Sequence, residues 1–291
     1  MAPDAPLDLS PVWREAIARA AEAERVAVLG PTDAGKSAFI RTMAEAREDL
    51  RLIDLDPGQK MVGPPGTASL GRWSADGPLL ERFVFLGSTS VGSFRALAQA
   101  AAALGEAAER RFVANTSGYV GGPGAAMQGM TLAALKPDLV VCIGEAPALE
   151  PVLARWPGAV RLQRSPLATR KTEGFRRAVR QRAFAEALEG ASVQVLAGTG
   201  FVPEPPAAFV SDARPVCALA DAGGEDLELG LLLGWDSGGA NVLARGASRP
   251  VAALRLGKMW AQPHGEGWKL LDRLSPAWEP PPQALSPTSS P

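Results

Sequence analysis

The sequence predicts an α/β protein in which a mostly parallel sheet is flanked by helices and followed by a small β-rich domain. Apolar runs alternate with alanine-rich stretches up to about residue 200, as they do when helices cover both faces of a sheet. A glycine-rich loop directly follows the first apolar run. After Thr199 the chain changes to a proline-rich connector, 201–209, and then to short apolar runs separated by glycine pairs.

Six apolar runs are expected to form the strands of the sheet. They are continuous rather than alternating, which is typical of strands buried on both faces. In chain order they are 25–29, 51–55, 82–87, 111–115, 138–144 and 192–198. Helices are expected at 37–47, 91–110 and 125–135, and a further helix, rich in arginine, follows the fifth run.

The glycine-rich loop lies in "VAVLGPTDAGKS", residues 26–37, and fits the pattern G-x-x-x-x-G-K-S. A strand that leads through such a loop into a helix forms an anion site, because the loop amides and the helix N-terminus point at one place. Lys36 is expected to reach the β and γ phosphates of a nucleotide, and Ser37 to ligate Mg²⁺. A chance match is the alternative, which the flanking strand and helix disfavour. The residues expected around the phosphates are Gly30, Pro31, Thr32, Asp33, Ala34, Gly35, Lys36, Ser37 and Ala38.

Two carboxylates follow at the end of the second strand, in "LIDLDPGQ". Asp54 and Asp56 are two residues apart and are expected to share one face of an extended strand. Asp56 is nearer the loop, so it is the better placed to hold Mg²⁺ or to take a proton from an attacking hydroxyl. A pair of surface carboxylates is the alternative interpretation.

A concentration of positive charge lies at 161–182, with eight basic residues and one acidic residue. Arg176 and Arg180 are one helical turn apart and can face one site, whereas Arg177 points elsewhere. Such a helix can close over transferring phosphates and stabilise their charge. A solvated basic helix is the alternative. In a chain whose formal net charge is −1, this local excess favours an anionic partner.

Composition argues against several other classes of protein. Cys142 and Cys217 lie in apolar runs and are expected to be buried packing residues rather than a disulfide or metal site. The first ten residues lack the basic and apolar regions of a signal peptide. No run approaches 18 apolar residues, so no membrane partner is expected, and the cytoplasm is the expected location.

Six stretches of the chain resemble the polynucleotide 5′-hydroxyl kinases of the RNA-processing type. That family includes the kinase subunit of the eukaryotic pre-mRNA cleavage factor, nucleolar kinases that process ribosomal RNA, and archaeal relatives. The stretches follow the family's order and cover about residues 25–190. They are "GPTDAGKSAF", "DLDPGQ", "PGTASLG", "GSTSVGS", "NTSGYVGGPG" and "GFRRAVRQR".

The resemblance implies a role for each matching position. Lys36, Asp56, Arg176 and Arg180 would be catalytic, with the two arginines on a lid helix at about 170–188. Asp56 would activate the 5′-hydroxyl or hold the metal, together with Ser37. A clasp at 88–90 would grip the first phosphate of the substrate, and Tyr119, where the family often has tryptophan, would stack on the terminal base. The substrate-binding residues implied in this way are Gln59, Ser88, Thr89, Ser90, Thr116 and Tyr119.

The expected function is transfer of the γ-phosphate of ATP or GTP, with Mg²⁺, to the 5′-hydroxyl end of RNA or, less favoured, DNA. A nucleotide-driven switch and an assembly factor that binds ATP without turnover are the alternatives. The chain is expected to comprise an N-terminal tail and helix (1–24), a P-loop kinase domain (25–200), a β-rich domain (201–275) and a disordered tail (276–291).

Overall fold

The computed structural model describes residues 10–45, 47, 50–75, 77–206, 209 and 211–271. The chain forms two compact units, Met1–Ala183 and Phe184–Pro291. The expected disordered tail at 276–291 lies outside the described residues.

The first unit is built on a sheet that has seven strands within the described residues. The strands are β1 (Arg25–Leu29), β2 (Arg51–Asp54), β3 (Thr67–Ser74), β4 (Gly77–Phe85), β5 (Phe112–Asn115), β6 (Leu139–Ile143) and β7 (Val160–Leu162). Their order across the sheet is β4-β3-β2-β5-β1-β6-β7. The run from β2 to β7 is parallel, and β3 and β4 form an antiparallel hairpin at one edge. The mostly parallel sheet is thus confirmed, with β3 and β7 as strands that the apolar runs did not indicate.

Helices cover both faces of this sheet. They are α1 (Pro11–Glu22), α2 (Lys36–Glu45), α3 (Phe94–Ala107), α4 (Pro123–Leu135) and α5 (Glu150–Leu153), with a 3-10 turn at Pro147–Leu149. The first part of α6 (Glu173–Leu188) also belongs to this unit. Val26 and Val28 of β1 belong to the core beneath α1 and α2. Ala27 and Leu29 belong to the core beneath α3 and α4. Alternate residues of one strand enter opposite cores, which is why the strand reads as a continuous apolar run.

The second unit contains a mostly antiparallel sheet, which confirms the β-rich C-terminal domain. Its strands are β8 (Ser192–Leu196), β9 (Gly200–Val202), β10 (Arg214–Ala220), β11 (Asp226–Asp236), β12 (Gly239–Ala244), β13 (Ala253–His264) and β14 (Gly267–Leu271). The order is β14-β13-β10-β11-β12-β8, and β9 pairs in parallel with β13. Cys217, Leu232 and Val242 lie in its core.

The prediction for 192–198 was wrong about the sheet to which this strand belongs. It forms β8, which pairs antiparallel with β12 at the edge of the second sheet. Val193 and Val195 are 61% and 70% exposed, so this strand does not have two covered faces. The compact units accordingly divide inside α6, between Ala183 and Phe184, whereas the sequence pattern places the boundary at 200.

Both cysteines are buried and carry free thiols, as expected of packing residues. Across the described part of the chain, no helix is both long enough and apolar enough to cross a membrane.

Candidate active site

The glycine-rich loop joins β1 to α2, as the sequence predicts. Gly30 has φ 139°, and a Cβ at this position would lie 2.0 Å from the carbonyl oxygen of Ile143 on β6. No side chain fits there, because backbone atoms of the neighbouring strand cannot move aside. The loop can therefore turn tightly over the end of the sheet and present its amides to an anion.

Lys36, the first residue of α2, is folded back onto this loop. Its side chain is only 8% exposed, and Nζ donates to the carbonyl oxygens of Gly30 at 2.7 Å and Pro31 at 3.0 Å. Burial lowers the pKa of Lys36 to about 8, and the carboxylates of Asp56 and Asp33 offset only part of that effect. The ammonium of Lys36 thus donates to two carbonyl oxygens, and the oxygens of a phosphate could replace them as acceptors.

A pocket opens in front of the loop, at the carboxyl ends of the parallel strands, where open α/β sheets usually bind ligands. The loop supplies its floor, from Thr32 to Ala38. Asp56 and Gln59 line the pocket from the turn after β2, and Asn115 lines it from the end of β5. Residues between Ser165 and Arg176 close the other side, and Trp13 of α1 also contributes.

The two carboxylates after β2 have different environments and do not share a strand face, because β2 ends at Asp54. Asp54 is fully buried and accepts hydrogen bonds from Asn115 Nδ2 at 2.9 Å and from the backbone amides of Met61 and Val62. The ammonium of Lys60 lies 3.5 Å from Asp54 Oδ2. Asp54 is therefore occupied in holding the 54–62 turn together.

Asp56, by contrast, faces the pocket. Its Oδ1 accepts hydrogen bonds from the backbone amides of Gly58 at 3.0 Å and Gln59 at 2.9 Å. Burial and the neighbouring Asp54 raise the pKa of Asp56, while these two amides and Lys36 act in the opposite direction. A carboxylate that is fixed through one oxygen and is more basic than usual is suited to accept a proton or to bind a cation.

Asn115 lines the pocket together with Asp56 and was missed by the sequence analysis. It ends β5, directly beside Asp54 on β2 and Val28 on β1. A carboxylate can only accept, so the contact with Asp54 orients the amide with Nδ2 toward Asp54. The other atom, Oδ1, is buried and has no hydrogen-bond partner among the described residues. The position of the "NTSGY" stretch after a central strand is the sequence signal that could have identified this acceptor.

The basic segment presents its arginines to different surroundings. Arg176 lines the pocket, and its Nη2 lies 2.5 Å from Oδ2 of Asp33 in the loop. Arg177 is exposed, with Nη2 3.5 Å from Glu173 Oε1. Arg180 is half-buried one turn along α6 and is not among the residues that line the pocket. The structure therefore brings Arg176 to the loop, and not Arg177.

The implied clasp, 88–90, follows the β3–β4 hairpin and packs on the turn that holds Asp56. A Cβ on Gly58 would lie 2.6 Å from the carbonyl oxygen of Thr89, so glycine is needed for this approach. Ser88 and Thr89 are half-buried and Ser90 is exposed. The clasp thus lies beside the acidic turn but outside the pocket lining.

Tyr119 and Thr116 lie on the loop after β5, on the other side of the glycine-rich loop. A Cβ on Gly118 would lie 2.4 Å from Oγ1 of Thr32, which shows how closely the two loops pack. Tyr119 is 44% exposed, as a residue that stacks on a ligand could be. Thr116 is buried, and its hydroxyl donates to the carbonyl oxygen of Val28, so it is committed to the sheet.

Trp13 supplies an apolar wall that sequence reasoning did not identify. Its ring packs edge-on against Phe39 of α2, with centroids 5.9 Å apart, and reaches within 3.1 Å of the position of a Cβ on Gly35. Leu167 and Ala168 line the same pocket. The pocket therefore has a charged end at the loop and an apolar side.

Several known proteins are similar to this chain in sequence or in fold. The family model for the P-loop of the mRNA cleavage and polyadenylation factor CLP1 matches residues 30–190. A polyribonucleotide 5′-hydroxyl-kinase of Pyrococcus furiosus is 26% identical over 188 residues, which is 58% of this chain and 52% of that protein. One of Thermococcus kodakarensis is 32% identical over 154 residues, 46% of this chain and 43% of that protein. The chain thus spans about half the length of these curated relatives.

A solved structure of Clp1p in complex with Pcf11p has the same fold. It superposes with a TM-score of 0.63 at 13% identity and covers 84% of this chain and 78% of that chain. A second Clp1p structure, from work on its interface with Pcf11p, has a TM-score of 0.60 at 12% identity and covers 80% of this chain and 74% of that chain.

Proposed function

Because this chain belongs to the family defined by the P-loop of the mRNA cleavage and polyadenylation factor CLP1, we propose that it is a polynucleotide 5′-hydroxyl kinase. It transfers the γ-phosphate of ATP or GTP to the 5′-hydroxyl end of RNA, in preference to DNA. The observation that carries the proposal is that Lys36, Arg176 and Asp56 line one pocket at the phosphate loop. The names of the archaeal relatives support RNA as the acceptor.

The tasks of this reaction are divided between the pocket and the two loops beside it, 88–90 and 116–119. Lys36 exchanges its two loop carbonyls for oxygens of the β and γ phosphates. Arg176 stabilises the charge of the transferring group, and Asp56 accepts the proton of the attacking 5′-hydroxyl. Ser88, Thr89 and Tyr119 hold the end of the polynucleotide, through its first phosphate and its terminal base.

The residues around Asp56 also fit Mg²⁺, which prefers hard oxygen ligands and keeps several of its waters. Ser37 Oγ and the carboxylate of Asp56 are such ligands, and the unpartnered Oδ1 of Asn115 would accept a hydrogen bond from a metal-bound water. When bound, the ion neutralises charge on the phosphate oxygens. A cytoplasmic location remains a prediction.

Incubation with γ-labelled ATP and a 5′-hydroxyl oligoribonucleotide tests the function. The expected product is a labelled oligonucleotide, and the same oligonucleotide with a 5′-phosphate serves as the matched control, because it has no acceptor. Release of labelled phosphate without transfer would support a nucleotide-driven switch instead. Bound ATP that is neither transferred nor hydrolysed would support an assembly factor. The deoxy version of the oligonucleotide measures the preference for RNA.

Substitution of the two carboxylates separates catalysis from structure. Asp56→Asn is expected to lower kcat about 10²-fold or more, because it removes the proton acceptor and weakens the metal site. Asp54→Asn is expected to lower the thermal stability and to affect kcat much less, because Asp54 binds Lys60 and the amides of the 54–62 turn. Steady-state kinetics and thermal melting of both variants measure this. Equal losses of kcat at unchanged stability would assign both residues to the reaction.

A further inference from the structure

Asp33 of the phosphate loop is joined to both ends of the segment 164–176, which is called the lid segment below. Its Oδ2 accepts hydrogen bonds from Arg176 Nη2 at 2.5 Å and from the backbone amide of Lys171 at 3.1 Å. Its carbonyl oxygen accepts one from Arg164 Nε, also at 3.1 Å. A single residue of the loop thus binds three residues that lie more than 130 positions away in the chain.

We propose that Asp33 is a positioning residue that anchors the lid segment over the phosphate site and aims Arg176 into it. This inference rests on the proposed kinase function. It concerns a position that the pattern G-x-x-x-x-G-K-S leaves open, so the phosphate loop itself does not require an aspartate there.

The environment of Asp33 argues that the contact is built rather than incidental. Its side chain is 8% exposed and that of Arg176 is 21% exposed, so solvent screens the pair far less than a surface ion pair. The backbone of Asp33 has φ 61°, in the left-handed region that is costly for residues other than glycine, asparagine and aspartate. A residue in this conformation supplies the carbonyl oxygen to Arg164 and the carboxylate to Lys171 and Arg176.

Charge gives a second reason. A carboxylate in a site for phosphates repels the ligand. The carboxylates of Asp56 and Asp33 both line this pocket. Pairing with Arg176 offsets the charge of Asp33. The guanidinium donates to Asp33 through Nη2 and more weakly to the Lys171 carbonyl through Nε, at 3.4 Å. Among the described residues, the hydrogen bonds of Arg176 use Nη2 and Nε. Because Arg176 lines the pocket, Nη1 is the donor that a phosphoryl oxygen could meet.

The opposite effect of the same contact would be inhibition, in which Asp33 withholds Arg176 from the nucleotide. The two effects differ in sign. If Asp33 anchors the lid segment, removing its carboxylate lowers kcat. If the contact is inhibitory, removing the carboxylate raises kcat. The anchor also predicts that Asp33 acts only through the lid segment, so its effect must disappear once Arg176 is gone.

Asp33→Asn is the informative variant, because asparagine has the same shape and tolerates the left-handed backbone but lacks the charge. Asp138→Asn is the matched control, since Asp138 accepts a hydrogen bond from the backbone amide of Arg25 at the start of β1, at the amino ends of the parallel strands and away from the pocket. We expect Asp33→Asn to lower kcat about tenfold, which is typical for loss of a hydrogen bond to a charged group. The double variant Asp33→Asn/Arg176→Ala should be no slower than Arg176→Ala alone.

Limited proteolysis of the ligand-free protein gives a readout that does not require activity. Trypsin should cleave after Arg170 and Lys171, both exposed, about tenfold faster in Asp33→Asn than in wild type or Asp138→Asn. Unchanged cleavage, a higher kcat, or additive losses in the double variant would each overturn the anchor. Faster cleavage in a protein whose wild type transfers no phosphate would support the anchor and overturn the kinase.

Discussion

Replacing Arg176 by alanine is expected to lower kcat for phosphoryl transfer about 10³-fold, with a much smaller rise in KM for ATP. Arg176 lines the pocket beside the phosphate loop, where a guanidinium can stabilise charge that develops only in the transition state. An interaction made mainly in the transition state appears in kcat rather than in KM. Steady-state kinetics with a saturating 5′-hydroxyl oligonucleotide, at varied ATP, measures the two constants.

Arg177→Ala is the control for this variant, because Arg177 lies next in the same helix but is exposed and paired with Glu173. It should leave kcat nearly unchanged. Arg180→Ala tests whether the second lid arginine reaches the nucleotide during turnover, since it does not line the pocket here. If the helix only docks the nucleic-acid backbone, all three variants should instead weaken oligonucleotide binding similarly. Each variant would then reduce the slope of the logarithm of oligonucleotide affinity against the logarithm of salt concentration by about one unit, and kcat would be unchanged.

Lys36→Ala is expected to abolish phosphoryl transfer, because it removes the ammonium that the Gly30 and Pro31 carbonyls hold at the phosphate loop. The fold should be retained, since the substitution removes a buried ammonium whose desolvation is unfavourable. Thermal melting and labelled-ATP transfer measured on the same preparation check both expectations. Retention of more than about a tenth of the wild-type activity would remove Lys36 from the phosphate site, since general electrostatic roles of this kind are worth far more.

The pKa of Lys36 makes this prediction dependent on pH. It falls from 10.5 to about 8 in the ligand-free protein. Between these values the unfolded chain binds more protons than the folded one, so this group's contribution to stability rises with pH from about 8 to 10.5. Nucleotide binding has the opposite dependence, because phosphates require the ammonium. Above pH 8 affinity should fall, by at most about tenfold per pH unit.

Lys36→Arg tests the assignment of that titration, since a guanidinium stays protonated throughout this range. Titration with a fluorescent ATP analogue between about pH 7 and 9.5 should show a falling affinity in wild type and a flat profile in the variant. A profile that falls equally in both proteins would mean that another group titrates.

The local sequence pattern determined the phosphate-loop unit and the β-rich character of the second unit. The strand, glycine loop and helix around Gly30 are encoded by neighbouring residues, because backbone geometry and apolar burial both act over a few positions. The six family stretches identified the same unit, and the family model covers 30–190. The β-rich character of the second unit followed from its glycine-separated apolar runs.

Only the tertiary structure decided which elements become neighbours. The run at 192–196 has the sequence pattern of a strand and could by that pattern belong to either sheet. It lies in the second sheet because it pairs with the distant β12. Asp54 and Asp56 have identical chemistry, yet contacts with Asn115 and Lys60 bury one while the other faces the pocket. Asp33 and Arg176 meet across 143 positions. Sequence periodicity specifies how much of a residue is buried, whereas the partner that it meets is set by the order of strands in the sheet and by the path of the loops between them.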